Sequence, residues 1–172
     1  MHFAHVAFDT ELGPVALATT DEGVVRASLP GSDPDELVSE VAARTGLEPV
    51  EGSEAADEAA DQVEAFLAGE IERFDLPLDW RLVGGFHREV LKATATIPYG
   101  ETRSYGEVAE MAGTPGAARA AGTALSVNPI ALIVPCHRVI KSDGTIGGYG
   151  GGLQGQNLKR KLLNLENPTS LF

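Results

Sequence analysis

The spacing of apolar residues changes near residue 85, and this change constrains the fold more than any other feature of the chain. Before it, the apolar segments are short and bounded by turn residues; they are residues 2–8, 13–20 and 23–29. Such segments predict a three-stranded antiparallel meander. After it, apolar residues recur at helical spacing, which predicts a helix over residues 86–97. The chain is therefore expected to be α+β.

Two helices and one further strand are expected in the first half. The run Ser32-Asp33-Pro34 is typical of a helix start and Gly46 of a helix stop, so we predict a helix over residues 34–45. A second helix is predicted over residues 54–68. The segment 71–78 is interpreted as one more strand.

Charge divides the chain at the same place. Residues 1–85 contain four Lys and Arg against nineteen Asp and Glu, a net charge of −15, whereas residues 86–172 have nine against six, a net charge of +3. We predict an acidic α+β domain at 1–80, a connector at 81–85 and a second domain at 86–172. The difference in charge indicates that the surfaces of the two domains have different functions. The acidic, lysine-free half is typical of a protein from a high-salt organism.

Two short helices with a glycine between them follow in the second half. Ser104 and Glu107 have the spacing of a capping box and predict a helix over residues 104–113. A second helix, rich in alanine, is predicted over 114–128 with Thr114 as its cap. The pair is compatible with a helix-turn-helix that binds DNA. An ordinary helical hairpin is the alternative, and the pattern by itself favours it.

The composition excludes several classes of protein. A single cysteine forms no intrachain disulfide, which fits a reducing cytoplasm. The N-terminal residues lack the basic and apolar regions of a signal peptide, and no apolar run approaches ~20 residues, so no membrane association is expected. The four histidines and the cysteine have no zinc-ligand spacing, and we expect no metal.

That cysteine is the first candidate for chemistry. Cys136 lies in PCHRVI (135–140), directly before a histidine and an arginine and after the apolar run ALIV (131–134). A thiol is strongly nucleophilic only as the thiolate, which neighbouring cations favour. An inert core thiol is the alternative for a lone cysteine, but the flanking residues favour a nucleophile.

Several longer strings carry a family resemblance. They are IPYGETRSYGEVAEMAG, AARAAGTALSVNP, VPCHRVI, GTIGGYGGG and KRKLLNLE, in this order within residues 86–166. This half resembles the O6-alkylguanine-DNA alkyltransferases, the methylated-DNA–protein-cysteine methyltransferases. The resemblance implies a winged helix-turn-helix-like C-terminal domain. The first half resembles the ribonuclease-H-like N-terminal domain of that family in length and element order.

The resemblance implies an activity and its partners. A cysteine of this family takes the alkyl group from O6-alkylguanine in one irreversible displacement, so each molecule acts once. The expected partner is double-stranded DNA that contains O6-alkylguanine, with the damaged base flipped out. A cytoplasmic monomer with no cofactor and no obligate protein partner is implied.

The resemblance also assigns roles to residues of this chain. Cys136 is the acceptor, His137 the base that acts through a water, and Glu166 the carboxylate that orients it, a relay with the logic of a catalytic triad. Asn128 is expected to brace the cysteine turn. Tyr105 is expected to help the guanine leave by donating a proton.

Further residues are implied in binding. Arg119 is expected to fill the space of the flipped nucleotide, next to the DNA contacts Ser104, Thr114 and Ala118. The guanine pocket is implied to include Pro135, Val139, Tyr149 and Gly150, with Arg138 buttressing the turn.

The chain departs from the family pattern after Tyr149. Lys159 comes ten residues later, three more than is usual, which predicts an insertion in the glycine-rich loop 150–158 near LQGQN. If Glu166 belongs to the relay despite this insertion, the last helix must begin later in the chain than is usual in the family. The zinc cysteines of some members are missing.

Two other classes of function stay open. One is a non-catalytic alkyltransferase-like protein that recognises alkylated DNA; that class replaces the cysteine, which Cys136 argues against. The other is a cysteine hydrolase or thiol redox enzyme. A redox enzyme usually has a resolving cysteine, and this chain has none.

Overall fold

The computed structural model describes residues 1–150 and 152–172 and has an α+β fold. It divides into two compact units. The first contains residues 1–82 and 129–133, and the second contains residues 83–128 and 134–172. Among the described residues, every helix is too short or too polar to cross a lipid bilayer.

A four-stranded mixed sheet forms the first unit. Its strands are β1 (His2–Thr10), β2 (Gly13–Thr20), β3 (Gly23–Ala27) and β4 (Glu48–Glu51), in the order β3-β2-β1-β4. The antiparallel pairing of the first three confirms the predicted meander. The parallel edge strand β4 was not predicted. All four of its residues are exposed, so it has no alternation of buried and exposed side chains to signal a strand.

Both helices predicted in the first half are confirmed, and they pack on this sheet. Helix α1 (Pro34–Thr45) begins where the Asp33 side chain accepts a hydrogen bond from the Asp35 amide, and it ends at Gly46, whose φ of 73° suits glycine. Helix α2 (Glu54–Leu67) begins after Ser53, which caps the Ala56 amide. Leu37 and Val41 of α1 are buried in the core with the sheet.

The strand predicted over residues 71–78 is wrong. Only an isolated bridge between Val24 and Leu78 is found there. The Gln62 side chain accepts from the Asp75 amide at 2.8 Å and donates to the Asp75 carbonyl at 3.1 Å. Gln62 thus satisfies backbone groups that a neighbouring strand would otherwise bind.

The second unit is mainly helical. Its helices are α3 (Gly85–Thr94), α4 (Tyr105–Met111), α5 (Ala118–Ser126) and α6 (Gly152–Glu166), and its two-residue parallel strands are β5 (Arg103–Ser104) and β6 (Val139–Ile140). The predicted capping box is confirmed at α4, where Ser104 and Glu107 exchange backbone-to-side-chain hydrogen bonds.

Two predicted helix starts are wrong. Helix α5 begins at Ala118 and Thr114 does not cap it. Gly116 has a φ of 84°, outside the helical region, so the helix cannot include it. Helix α6 begins at Gly152, so the segment LQGQN (153–157) is helical and does not lie in a loop. The last helix therefore begins earlier than predicted, and Glu166 is its last residue.

Candidate active site

A buried turn presents Cys136. Residues 130–139 are all buried, and Leu132 has a φ of 69°, an unusual conformation for a leucine. Cys136–Arg138 form one turn of 3-10 helix, closed by the Arg138 amide donating to the Pro135 carbonyl at 2.9 Å. Three consecutive side chains, of Cys136, His137 and Arg138, thus leave one tight turn in different directions.

Asn128 ties the thiol to the chain that precedes it. Its Nδ2 donates to the Val134 carbonyl at 3.1 Å and to Cys136 Sγ at 3.2 Å. The Asn128 amide therefore links the backbone just before the turn to the sulfur. A donor at the sulfur favours the thiolate over the thiol.

Burial controls the charge of the thiol. Cys136 is 9% exposed, and burial raises the pKa of its thiol above the usual value, opposed by the Asn128 hydrogen bond and the nearby Lys159 charge. The resting side chain is therefore a thiol rather than a thiolate near neutral pH, and it needs a base to become a nucleophile.

His137 meets the requirements of that base. Burial lowers its pKa, although the hydrogen bond and charge of Glu166 oppose the shift. The imidazole is therefore neutral near neutral pH and able to accept a proton. Its Nε2 lies 2.6 Å from Glu166 Oε2. Because a carboxylate accepts, Nε2 carries the proton and Nδ1 is the acceptor nitrogen of the ring.

Glu166 is held as a buried carboxylate. Arg138 donates to both its oxygens, with Nε 2.8 Å from Oε1 and Nη2 2.9 Å from Oε2, and the Gly100 amide donates at 3.2 Å. Burial alone would raise the pKa of Glu166, but the hydrogen bonds from His137 and Arg138 lower it to about 2. Arg138 also donates to the Ile97 carbonyl at 2.6 Å. The arginine thus fixes the carboxylate that contacts the His137 imidazole.

Lys159 was not predicted as a site residue, yet it is fully buried beside the thiol. Its Nζ donates to the Val139 carbonyl at 2.6 Å and to the Gly148 carbonyl at 3.2 Å. Burial lowers the pKa of Lys159 to about 8, an effect that the Cys136 charge opposes. Lys159, Leu162, Leu163 and Glu166 share the spacing of one helix face, and this pattern could have indicated a buried lysine.

Two tyrosines line the thiol. Tyr149 is buried, and its ring lies edge-on to His137 with centroids 6.5 Å apart. Its hydroxyl makes no hydrogen bond of good geometry within the described residues, but it is near enough to Cys136 for the two to perturb each other's pKa. Burial and the Cys136 charge raise the pKa of Tyr105 and of Tyr149, so both hydroxyls keep their protons.

The predicted DNA contacts lie on the surface of the two short helices. Arg119 and Thr114 are exposed, while Ala118 is partly exposed. Ser104 is partly exposed and its hydroxyl caps α4. A Cβ at Gly122 of α5 would lie 3.7 Å from the Tyr105 ring. Helix α5 thus packs directly against a residue of the thiol site.

The remaining predicted pocket residues are partly committed to other contacts. The carbonyl of Val139, a residue of the implied guanine pocket, accepts a hydrogen bond from Lys159. Pro135 is buried in the turn, and Gly150 is exposed with a φ of 62°. Among residues 1–150 and 152–172, no group of three or more His, Cys, Asp and Glu side chains has the geometry to bind a metal ion.

Comparisons with known proteins agree on one family. Residues 85–168 match the model of the DNA-binding domain of 6-O-methylguanine DNA methyltransferase. A methylated-DNA–protein-cysteine methyltransferase from Mycobacterium leprae is 49% identical over 93% of this chain and 90% of its own. The protein of that name from Mycobacterium tuberculosis is 58% identical over a segment that spans 63% of each chain.

Solved structures agree with the sequence relatives. The Mycobacterium tuberculosis OGT in complex with DNA has 43% identity and a TM-score of 0.79, over 98% of this chain and 94% of that one. The O6-methylguanine-DNA methyltransferase of the archaeon Pyrococcus kodakaraensis has a TM-score of 0.68 at 23% identity, which shows a shared fold.

Proposed function

Because the chain belongs to the methylated-DNA–protein-cysteine methyltransferase family, we propose that it repairs DNA by taking the alkyl group of O6-alkylguanine onto Cys136. The sulfur attacks the alkyl carbon, a C–S bond forms, and the C–O6 bond breaks with its electron pair going to the guanine. The thiol proton passes to His137. The product is a stable thioether, so each molecule acts once.

The observation that carries this proposal is the buried contact of His137 with Glu166 next to the Cys136 thiol. A nucleophile, a neutral base and an orienting carboxylate are the three components of nucleophilic activation. No cofactor is needed in this scheme, because the thiol itself is the acceptor.

The leaving guanine requires a proton or a strong hydrogen bond as the C–O6 bond breaks. We assign this role to Tyr105, whose pKa is raised by burial and by Cys136, so the hydroxyl keeps its proton. The Lys159 charge has a complementary role in stabilising the thiolate as it forms.

DNA recognition is assigned to the second half. We propose that α4 and α5 act as the helix-turn-helix of a winged, DNA-binding domain at 86–172, and that Arg119 replaces the flipped nucleotide. The small residues of α5 would permit close approach in the minor groove. Residues 1–80 then form an acidic, ribonuclease-H-like domain. We place the protein in the cytoplasm, since the acceptor thiol must stay reduced, and we propose that it acts as a monomer.

Intact mass tests the proposal. Incubation with a duplex that contains one O6-methylguanine should add about 14 Da, the replacement of a thiol hydrogen by methyl, and peptide mapping should place it on Cys136. The unmethylated duplex and the Cys136→Ser variant are the controls. A chain that binds the methylated duplex without gaining mass would instead be a non-catalytic alkyltransferase-like protein.

A further inference from the structure

Residues in the first turns of α6 contact each of the three residues of the loop 147–149. Gln156 Nε2 donates to the Gly147 carbonyl at 3.3 Å, and Lys159 Nζ donates to the Gly148 carbonyl at 3.2 Å. Gly155 lies against Tyr149 itself. We call Gly155, Gln156 and Lys159 the loop clamp.

Gly155 is the point of closest approach in the loop clamp. A Cβ at this position would lie 1.5 Å from the Tyr149 carbonyl oxygen, which no side chain can tolerate. Its φ is not in the left-handed region, so glycine serves here for space and not for backbone freedom. Glycine destabilises a helix interior relative to alanine. The close contact with the loop explains why residue 155 is nevertheless a glycine.

The clamped loop forms the wall beside the thiol. It carries Tyr149, whose hydroxyl approaches Cys136. On its other side, a Cβ at Gly147 would lie 2.9 Å from the Tyr105 hydroxyl. The loop is therefore confined between Tyr105 and the loop clamp.

Little room remains at the sulfur. Cys136 and Tyr149 are both less than a tenth exposed. A methyl carbon needs only a small gap at the thiol, but a larger alkyl group needs Tyr149 to move away. Because the backbone of Tyr149 follows that of Gly147 and Gly148, such movement breaks the hydrogen bond from Gln156.

We propose that Gln156 is a specificity-determining residue, which restricts the protein to small O6-alkyl groups by holding the Tyr149 loop against the thiol. This inference rests on the proposed alkyl transfer. Gln156 lies within LQGQN (153–157), which belongs to the first turns of α6. The loop clamp thus gives this helical segment a role in the site.

The test compares two substrates in Gln156→Ala. Identical duplexes carry O6-methylguanine or O6-benzylguanine, and the second-order rate constant of transfer is measured for each. Loss of the hydrogen bond should raise the benzyl-to-methyl rate ratio about fivefold, the effect of one neutral hydrogen bond, with little change in the methyl rate.

Gln154→Ala is the matched control. It makes the same substitution two residues earlier in α6, at an exposed position, and should leave the ratio unchanged. Gln156→Glu keeps the side-chain length but removes the donor, so it should raise the ratio as Gln156→Ala does. Thermal melting shows that the variants are folded.

Each outcome decides the inference. An unchanged ratio in Gln156→Ala, or an equal fall of both rates, would overturn the specificity role while alkyl transfer stands. If the unaltered protein transfers neither group, the proposed function is wrong and the inference falls with it.

Discussion

His137 Nε2 lies 2.6 Å from Glu166 Oε2, although 29 residues separate the two in sequence. Both side chains are almost completely buried. Arg138, which follows His137 directly, binds the same carboxylate through two nitrogens. One carboxylate thus binds the His137 imidazole and neutralises a buried cation.

Glu166→Gln should slow methyl transfer by about 100-fold, the lower end of the loss typical for a general base. The amide can offer its NH2 to His137 and so favour the wrong tautomer. The variant should also be less stable by about 3–5 kcal/mol, because Arg138 loses its buried partner. Single-turnover rates and urea melts measure both effects.

Glu101→Gln is the control for that substitution. Glu101 pairs with Arg103 at the surface, at 3.0 Å, and an exposed pair contributes about 0–1 kcal/mol. Equal stability and rate losses in the two variants would contradict the account of Glu166.

Acid should destabilise the protein through Glu166. Its pKa is lowered from 4.5 to about 2 in the folded state, so the unfolded chain binds more protons between these values. The stabilisation is fully present above about pH 5, and it is lost as pH falls from there towards 2. The difference in unfolding free energy between the unaltered protein and Glu166→Gln should therefore shrink over this range. A difference independent of pH would exclude the linkage.

Lys159→Met should make Cys136 less reactive. Because the lysine charge lowers the pKa of the thiol, its loss should shift the pH profile of iodoacetamide labelling to higher pH. Labelling near neutral pH should slow by about tenfold, as expected for the loss of one neighbouring charge. Lys161→Met, at an exposed position of the same helix, should leave the profile in place. Identical profiles for the two variants would contradict a direct electrostatic role.

Arg119→Ala should impair repair of duplex DNA more than reaction with the free base O6-methylguanine. Arg119 is exposed on α5, and its proposed task is to hold the base out of the stack, which a free base does not require. Unstacking costs a few kcal/mol, so the duplex rate should fall by about tenfold or more. Lys161→Ala removes an exposed positive charge elsewhere and is the control. Equal losses on both substrates would indicate a structural role for Arg119.

Local rules predicted the elements whose signals lie within a few residues. The Gly46 stop of α1 and the Ser104–Glu107 capping box follow from backbone hydrogen bonds near each helix end. The edge strand β4 was not predicted because its exposed side chains show no apolar pattern. Only its backbone hydrogen bonds to β1 define it as a strand. The strand predicted over residues 71–78 is wrong, and there the Asp75 backbone is bound by the side chain of Gln62 in α2.

The residues of the candidate site also differ in how well the sequence predicted them. Cys136 and His137 stand out from their neighbours in PCHRVI, and Glu166 came from the family resemblance. The burial of Lys159 was missed because lysines are usually exposed, although its spacing with Leu162, Leu163 and Glu166 places it on the buried face of α6. The loop clamp depends on the close approach of Gly155 to the Tyr149 backbone, which no local pattern reveals.

The central claim is that Cys136 accepts one alkyl group and keeps it. Titration of the protein with an excess of duplex bearing a radiolabelled O6-methyl group measures this directly. The account predicts that label transfer stops at one methyl group per chain, all of it on the peptide that contains Cys136. Label on another residue, or continued turnover beyond one equivalent, would contradict it.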